Sequence, residues 1–155
     1  MIAGPLLSTL RRYPRHRTPG SPNRKFAPGA RFSLAVLLGD VDEQRLILVV
    51  EDDEATRAFL LENLAADGFR VAGATSAGEG IRAIEVRRPS LVVLDLALEG
   101  GSGLDLLDRV RHADGLASRI DPDLPVIVLT GRVGEADRVR SFTRGADDYV
   151  AKPTC

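Results

Sequence analysis

Four short segments hold the side chains that could act together chemically. LVVEDDE (48–54) carries Glu51, Asp52, Asp53 and Glu54, and LVVLDLAL (91–98) sets Asp95 inside an apolar run. VIVLTGR (126–132) carries Thr130 before Gly131, and GADDYVAKP (145–153) carries Tyr149 and Lys152 before Pro153. Carboxylates a few ångströms apart repel and raise one another's pKa. A hard divalent cation resolves this, and magnesium takes one or two carboxylates together with waters and phosphate oxygens. An Asp95 oxygen held by metal and lysine is a nucleophile toward phosphorus. Metal and Lys152 would neutralise charge on a transferring phosphoryl group, and the Thr130 hydroxyl would donate to one of its oxygens.

Taken singly, most of these residues have plainer roles. Asp52 or Asp53 suits a helix N-cap, where carboxylates also favour the dipole; the reading gives Asp53 the cap and Glu51–Asp52 the site. Thr130 fits any strand end, Lys152 any surface, and Tyr149 any half-buried strand. Asp95 is the sharpest signal, because an acid within an apolar strand is costly without a partner.

For the four segments to meet, each must end a strand on one edge of one sheet. The hydrophobic pattern provides that. Continuous apolar runs predict strands over 45–50, 70–75, 90–98, 123–131 and 147–152. Helical spacing predicts helices over 55–69, 77–88, 103–113 and 135–145. Ala55, Phe59, Leu60, Leu64 and Phe69 form the expected inner face of the first helix, and Leu104, Leu107 and Val110 that of the third. The order βαβαβαβαβ with doubly covered strands is an α/β doubly wound parallel sheet. Such sheets bind ligands outside the carboxyl ends of their strands, where these four segments lie.

Composition removes other classes. One cysteine, Cys155, excludes a disulfide framework and a Cys-rich zinc site. Two histidines, His16 and His112, exclude a multi-histidine metal centre, and the absence of tryptophan leaves few stacking platforms for single strands. No uncharged run exceeds the first ten residues, so no stretch suits a membrane-spanning helix. GEG at 78–80 starts a helix and lacks the pattern of a phosphate-cradling loop.

Charge divides the chain in two. Residues 1–39 hold seven Lys/Arg and no acid, while residues 40–155 hold fourteen Lys/Arg and all 22 acids. Five of the nine prolines lie in the first 28 residues. Residues 1–43 therefore read as a disordered basic extension. A nucleic-acid arm, an export signal, a transit peptide and a plain solvated or upstream segment are its alternative roles.

The four segments together resemble the receiver domain of two-component response regulators, from about Arg45 to Cys155. The resemblance implies a flavodoxin-like sheet of five parallel strands in the order 2-1-3-4-5. It implies Mg²⁺ held by Glu51, Asp52, Asp95 and the backbone carbonyl of Ala97. Asp95 then matches the phosphoacceptor, Thr130 the switch hydroxyl, Tyr149 the switch aromatic and Lys152 the family's lysine. It further implies a cytoplasmic bacterial signalling phosphoprotein rather than an enzyme. Its phosphoryl donor would be a sensor histidine kinase or phosphotransfer protein, and its switch would control an output such as transcription. A homodimer is a further partner arrangement; neither membrane nor direct nucleic-acid contact by the receiver itself is expected.

Three departures shape the expectations. Glu99 replaces the proline four residues after the phosphoacceptor, which predicts a less constrained loop. Thr154 replaces an aromatic. The sequence reaches Cys155 before a fifth helix, so the reading is an extension over 1–43 and a receiver over 44–155 lacking that helix. A bared apolar face beside strands 1 and 5 predicts marginal stability or association, with FSLAVLLG (32–39) able to lie against it. The alternative function is a phosphorylation-independent pseudo-receiver interaction module or a non-functional truncated fragment.

Overall fold

The computed structural model describes residues 45–131 and 143–152. Their elements are β1 (Leu46–Val50), α1 (Glu54–Ala66), β2 (Arg70–Ala74), α2 (Ala77–Arg87), β3 (Leu91–Asp95), α3 (Gly103–Arg111), β4 (Val126–Thr130) and β5 (Asp148–Ala151). All strand pairs are parallel, in the order β2-β1-β3-β4-β5. The expected sheet and its first three crossover helices are therefore present. The expected helix over 135–145 and the extension over 1–43 fall largely outside the described residues.

The strands are apolar because both faces are covered. Alternate residues of β1 face opposite ways: Leu46, Leu48 and Val50 join Ile81, Ile84, Leu106, Leu107 and Val110 from α2 and α3. Ile47 and Val49 join Leu60 and Leu64 of α1, with Val93, Ile127, Leu129 and Val150. The predicted inner face of α1 is narrower than expected, since Ala55 and Phe59 are exposed and the buried residues are Leu60 and Leu64. On α3 the buried positions are Gly103, Leu106, Leu107 and Val110, with Leu104 only half-buried.

Element ends follow local chemistry. α1 stops at Ala66 rather than at residue 69, because Gly68 turns at φ +92° and Phe69 donates its N–H back to the Leu64 carbonyl. Ser76 caps α2, its hydroxyl accepting the Glu79 N–H. β3 ends at Asp95, three residues short of the predicted end. The Asp95 carboxylate accepts the Ala97 N–H at 3.1 Å, and Gly103 donates to the Leu96 carbonyl at 3.1 Å, turning the chain away from the sheet. Leu98 is apolar because it enters the α2/α3 core, not because it extends the strand. No described helix is long and apolar enough to cross a membrane.

Candidate functional site

β1, β3 and β5 deliver their acidic and basic residues to the same carboxyl edge of the sheet. Glu51 follows β1 directly and is fully buried, its N–H donating to the Ala74 carbonyl at 3.0 Å. Asp95 closes β3 at 1% exposure. Lys152 follows β5, and its Nζ donates to Asp95 Oδ2 at 2.8 Å. The same ammonium lies 2.9 Å from Glu51 Oε2 in a buried ion pair. One carboxylate oxygen from each of Glu51, Asp52 and Asp95 falls within 4.8 Å of the others.

The turn after β1 sorts four consecutive acids into different tasks. Asp53 caps α1, accepting both the Thr56 N–H at 2.9 Å and its hydroxyl at 2.6 Å, as expected. Those two bonds hold the Asp53 carboxyl below the usual range. Glu51 Oε1 accepts the Asp53 N–H at 3.1 Å. Asp52 is half-buried and accepts the Glu99 N–H at 2.9 Å, the main cause of its lowered pKa. This bond corrects the expectation of a loose loop at Glu99: a backbone N–H, which proline lacks, ties the loop after β3 to the acidic turn.

Burial drives the electrostatics of the inner pair. It pushes Glu51 up to about 7, a rise that Lys152 and the Asp53 N–H oppose and the Asp95 charge assists. Burial also pulls Lys152 down, but its bonds to Asp95 and Glu51 outweigh that and leave it above the ordinary lysine value. A lone ammonium thus faces two buried acids, one of which keeps its proton to about neutrality. Three carboxylates whose oxygens converge within 4.8 Å, two of them buried, are the donor set a hard cation takes. The residues present therefore fit the magnesium that the sequence implied.

Other expected residues are placed in part. Ala97 is exposed, two residues past Asp95. Thr130 closes β4 with its Cα opposite Ala151, and its hydroxyl lies outside the described residues. Tyr149 is half-buried and packs on the α2/α3 core.

Two residues at the site, and one at the opposite edge of the sheet, escaped the sequence reading. Arg57 of α1 reaches back to the carbonyls of Glu51 at 3.0 Å and Asp52 at 3.4 Å, fixing the turn that presents both acids. Gly103 starts α3 so close to β3 that a Cβ would sit 2.2 Å from the Asp95 carbonyl oxygen. Arg111 of α3 donates to the carbonyls of Pro122, Leu124 and Gly145 and pairs with Asp147 at 2.7 Å, joining the approaches to β4 and β5. GEG also has a packing explanation: a Cβ at Gly80 would meet Leu106 at 2.8 Å and Val50 at 3.0 Å.

Comparison with known proteins decides the family. The response regulator receiver domain model matches residues 47–155. The chain belongs to the response regulator receiver domain family. The receiver is 40% identical over 107 residues to the transcriptional regulatory protein AfsQ1 of Streptomyces coelicolor, covering 69% of this chain and 44% of that one. It is 42% identical over 107 residues to the phosphate regulon transcriptional regulatory protein PhoB of Rhizobium meliloti, covering 69% and 45%. The chain thus matches rather less than half the length of these curated relatives. Among solved structures, the non-phosphorylated HemR receiver domain of Leptospira biflexa superposes with a TM-score of 0.61 at 35% identity, covering 72% of this chain and 84% of that one. A CheY-like receiver from Methanospirillum hungatei gives 0.62 at 31%, covering 72% and 83%.

Proposed function

We propose that this receiver accepts a phosphoryl group on Asp95 from the phosphohistidine of a sensor kinase or phosphotransfer protein, as the signalling input to a transcriptional or other output. The observation that carries this is Asp95 at the end of β3, 1% exposed, bonded to Lys152 and grouped with two more carboxylates. Glu51, Asp52, Asp95 and the Ala97 carbonyl are the residues that would hold Mg²⁺. When bound, the ion neutralises charge on phosphate oxygens.

The chain's own residues do the rest. An Asp95 carboxylate oxygen forms the bond to phosphorus as the bond to the donor's imidazole nitrogen breaks, and that nitrogen leaves with the bonding pair. Lys152 keeps its proton throughout and offsets negative charge on the transferring group. The Ala97 N–H orients the acceptor carboxylate. Thr130, at the neighbouring strand end, would donate its hydroxyl to a phosphoryl oxygen, and Tyr149 would follow it inward. Phosphorylation then biases a two-state equilibrium at β4 and β5. The reading places the domain in the cytoplasm, with residues 44–155 as the receiver unit. The test is phosphopeptide mapping after treatment with acetyl phosphate and Mg²⁺. A hydroxylamine-labile phosphoryl group on the peptide holding Asp95 supports the reading. Its absence from a folded sample supports the phosphorylation-independent module instead.

A further inference from the structure

Arg57 holds the acidic turn from the α1 side. Its backbone N–H donates to the Asp53 carbonyl at 2.9 Å, and its Nη1 reaches the carbonyls of Glu51 at 3.0 Å and Asp52 at 3.4 Å. One residue thus takes three successive carbonyls. Other groups of the turn have partners elsewhere. The Glu51 N–H donates to the Ala74 carbonyl, the Asp53 N–H to Glu51 Oε1, and the Glu99 N–H to Asp52 Oδ2. Turning either peptide away from Arg57 would swing a carboxylate out of the cluster with Asp95.

Helix chemistry does not account for an arginine here. Arg57 closes the first turn of α1, where the dipole favours acids and disfavours a cation. Nor does charge account for it, because a guanidinium beside the acids repels any divalent cation they bind. The neighbouring strand is shaped for it instead. Gly73 of β2, paired with Val49 of β1, gives up strand stability by having no side chain. A Cβ there would stand 3.2 Å from Arg57 Cδ and 3.2 Å from Leu61 Cδ1, inside the ordinary contact distance between carbons. The half-buried arginine stem crosses β2 at that gap on its way to the turn.

We propose that Arg57, laid across Gly73, is a positioning residue for divalent-cation binding, aligning Glu51 and Asp52 through their backbone carbonyls without touching the ion. This role rests on the metal site proposed above. Charge and geometry act in opposite directions here, so the sign of one effect separates them. If the guanidinium only adds charge, removing it tightens cation binding. If it aligns the turn, removing it weakens binding despite the lost repulsion. Loss of a hydrogen-bonding partner behind a metal ligand typically costs about 10–100-fold in affinity. Arg57 holds the ligands' backbone rather than their carboxylates, which puts its effect at the lower end.

The experiment titrates the full 155-residue chain with Mg²⁺ and follows the NMR shifts of the Asp53 and Ala97 amides, which donate to Glu51 and Asp95. Metal-free Tm is read beside it. Arg57→Met keeps the stem and removes the guanidinium, while Arg57→Lys keeps the charge and loses the fork. The expected result is a Mg²⁺ Kd about tenfold weaker for Arg57→Met and an intermediate one for Arg57→Lys, both variants remaining folded without metal. Gly73→Val should also weaken Mg²⁺ binding while its metal-free Tm holds or rises, because valine suits a strand. In the Arg57→Met background, Gly73→Val should weaken binding no further. If Arg57→Met does not fold, Arg57→Lys decides by the same sign. An unchanged or tighter Kd in a wild-type background that binds Mg²⁺ would overturn the positioning role alone. Equal losses from Gly73→Val with and without Arg57 would overturn the part given to Gly73. A folded wild type that binds no Mg²⁺ would overturn the role together with the metal site.

Discussion

Glu51 and Asp52 are adjacent in sequence and opposite in character. Glu51 is fully buried and pushed up to about 7. Asp52 is at the rim, held below the usual range by the Glu99 N–H. Under the proposed function, one dipeptide would provide two kinds of ligand. The outer acid is charged at any working pH, while the inner one must lose a proton before it can bind a cation. Lys152 sits on the inner side, where it offsets Asp95 and Glu51 together.

The largest effect should come from removing that ammonium. Lys152→Ala leaves two buried acids facing each other and takes away the cation opposite the transferring group. Phosphoryl uptake from acetyl phosphate should fall by about 100-fold or more, as for loss of one preorganised donor. A rate within threefold of wild type would assign Lys152 a purely structural part.

Arg111→Ala acts at the amino edge of β4 and β5, away from the site. It orphans the carbonyls of Pro122, Leu124 and Gly145 and the Asp147 partner. The expected cost is about 2–4 kcal/mol in chemical denaturation, since hydrogen bonds to charged groups contribute about 1.5–3 kcal/mol each. A loss below about 1 kcal/mol would show that water replaces the guanidinium at little cost.

The inner acid gives a pH signature that the outer one cannot. Without metal, folded Glu51 keeps its proton to about 7, against 4.5 for the ordinary carboxyl. The folded state therefore binds more protons between those values. This group's contribution to stability is complete below about pH 4.5 and is lost as pH rises through about 7. Binding of Mg²⁺ displaces the proton, so the rise in Tm on adding saturating Mg²⁺ should be larger at about pH 8 than at about pH 6. Equal rises at the two pH values would mean that Glu51 is already ionised.

Two conservative variants separate the neighbours most finely. Glu51→Gln mimics the protonated form, so at neutral pH the metal-free Tm should stay within a few degrees of wild type or rise, while the Mg²⁺ response disappears. Asp52→Asn should weaken Mg²⁺ binding in calorimetry with little change in metal-free stability, because the amide oxygen can still accept the Glu99 N–H. If Glu51→Gln melts far below wild type without metal, the buried group is charged and the contrast between the two acids fails.

The sheet and the acidic cluster were legible because doubly covered parallel strands read as continuous apolar runs with a polar residue at each end. Asp53 as the cap was legible because capping is local. The end of β3 was not: Leu96, Ala97 and Leu98 continue the apolar run, yet bonds from Ala97 to the Asp95 carboxylate and from Gly103 to the Leu96 carbonyl turn it. Phe59 has the spacing of an inner residue on α1 but lies at the margin of the covered strip. Arg57, Arg111 and Gly103 looked like ordinary surface or turn residues, because their partners are carbonyls or backbone atoms that no periodicity marks. Glu99 was read by what it replaces, whereas its N–H is what matters.

Intact-mass spectrometry after incubation with acetyl phosphate and Mg²⁺ tests the central claim most directly, with Asp95→Asn and EDTA as controls. The account predicts a gain of one phosphoryl group in the wild type and none in either control. A folded wild type without that gain, or an equal gain in Asp95→Asn, would contradict it.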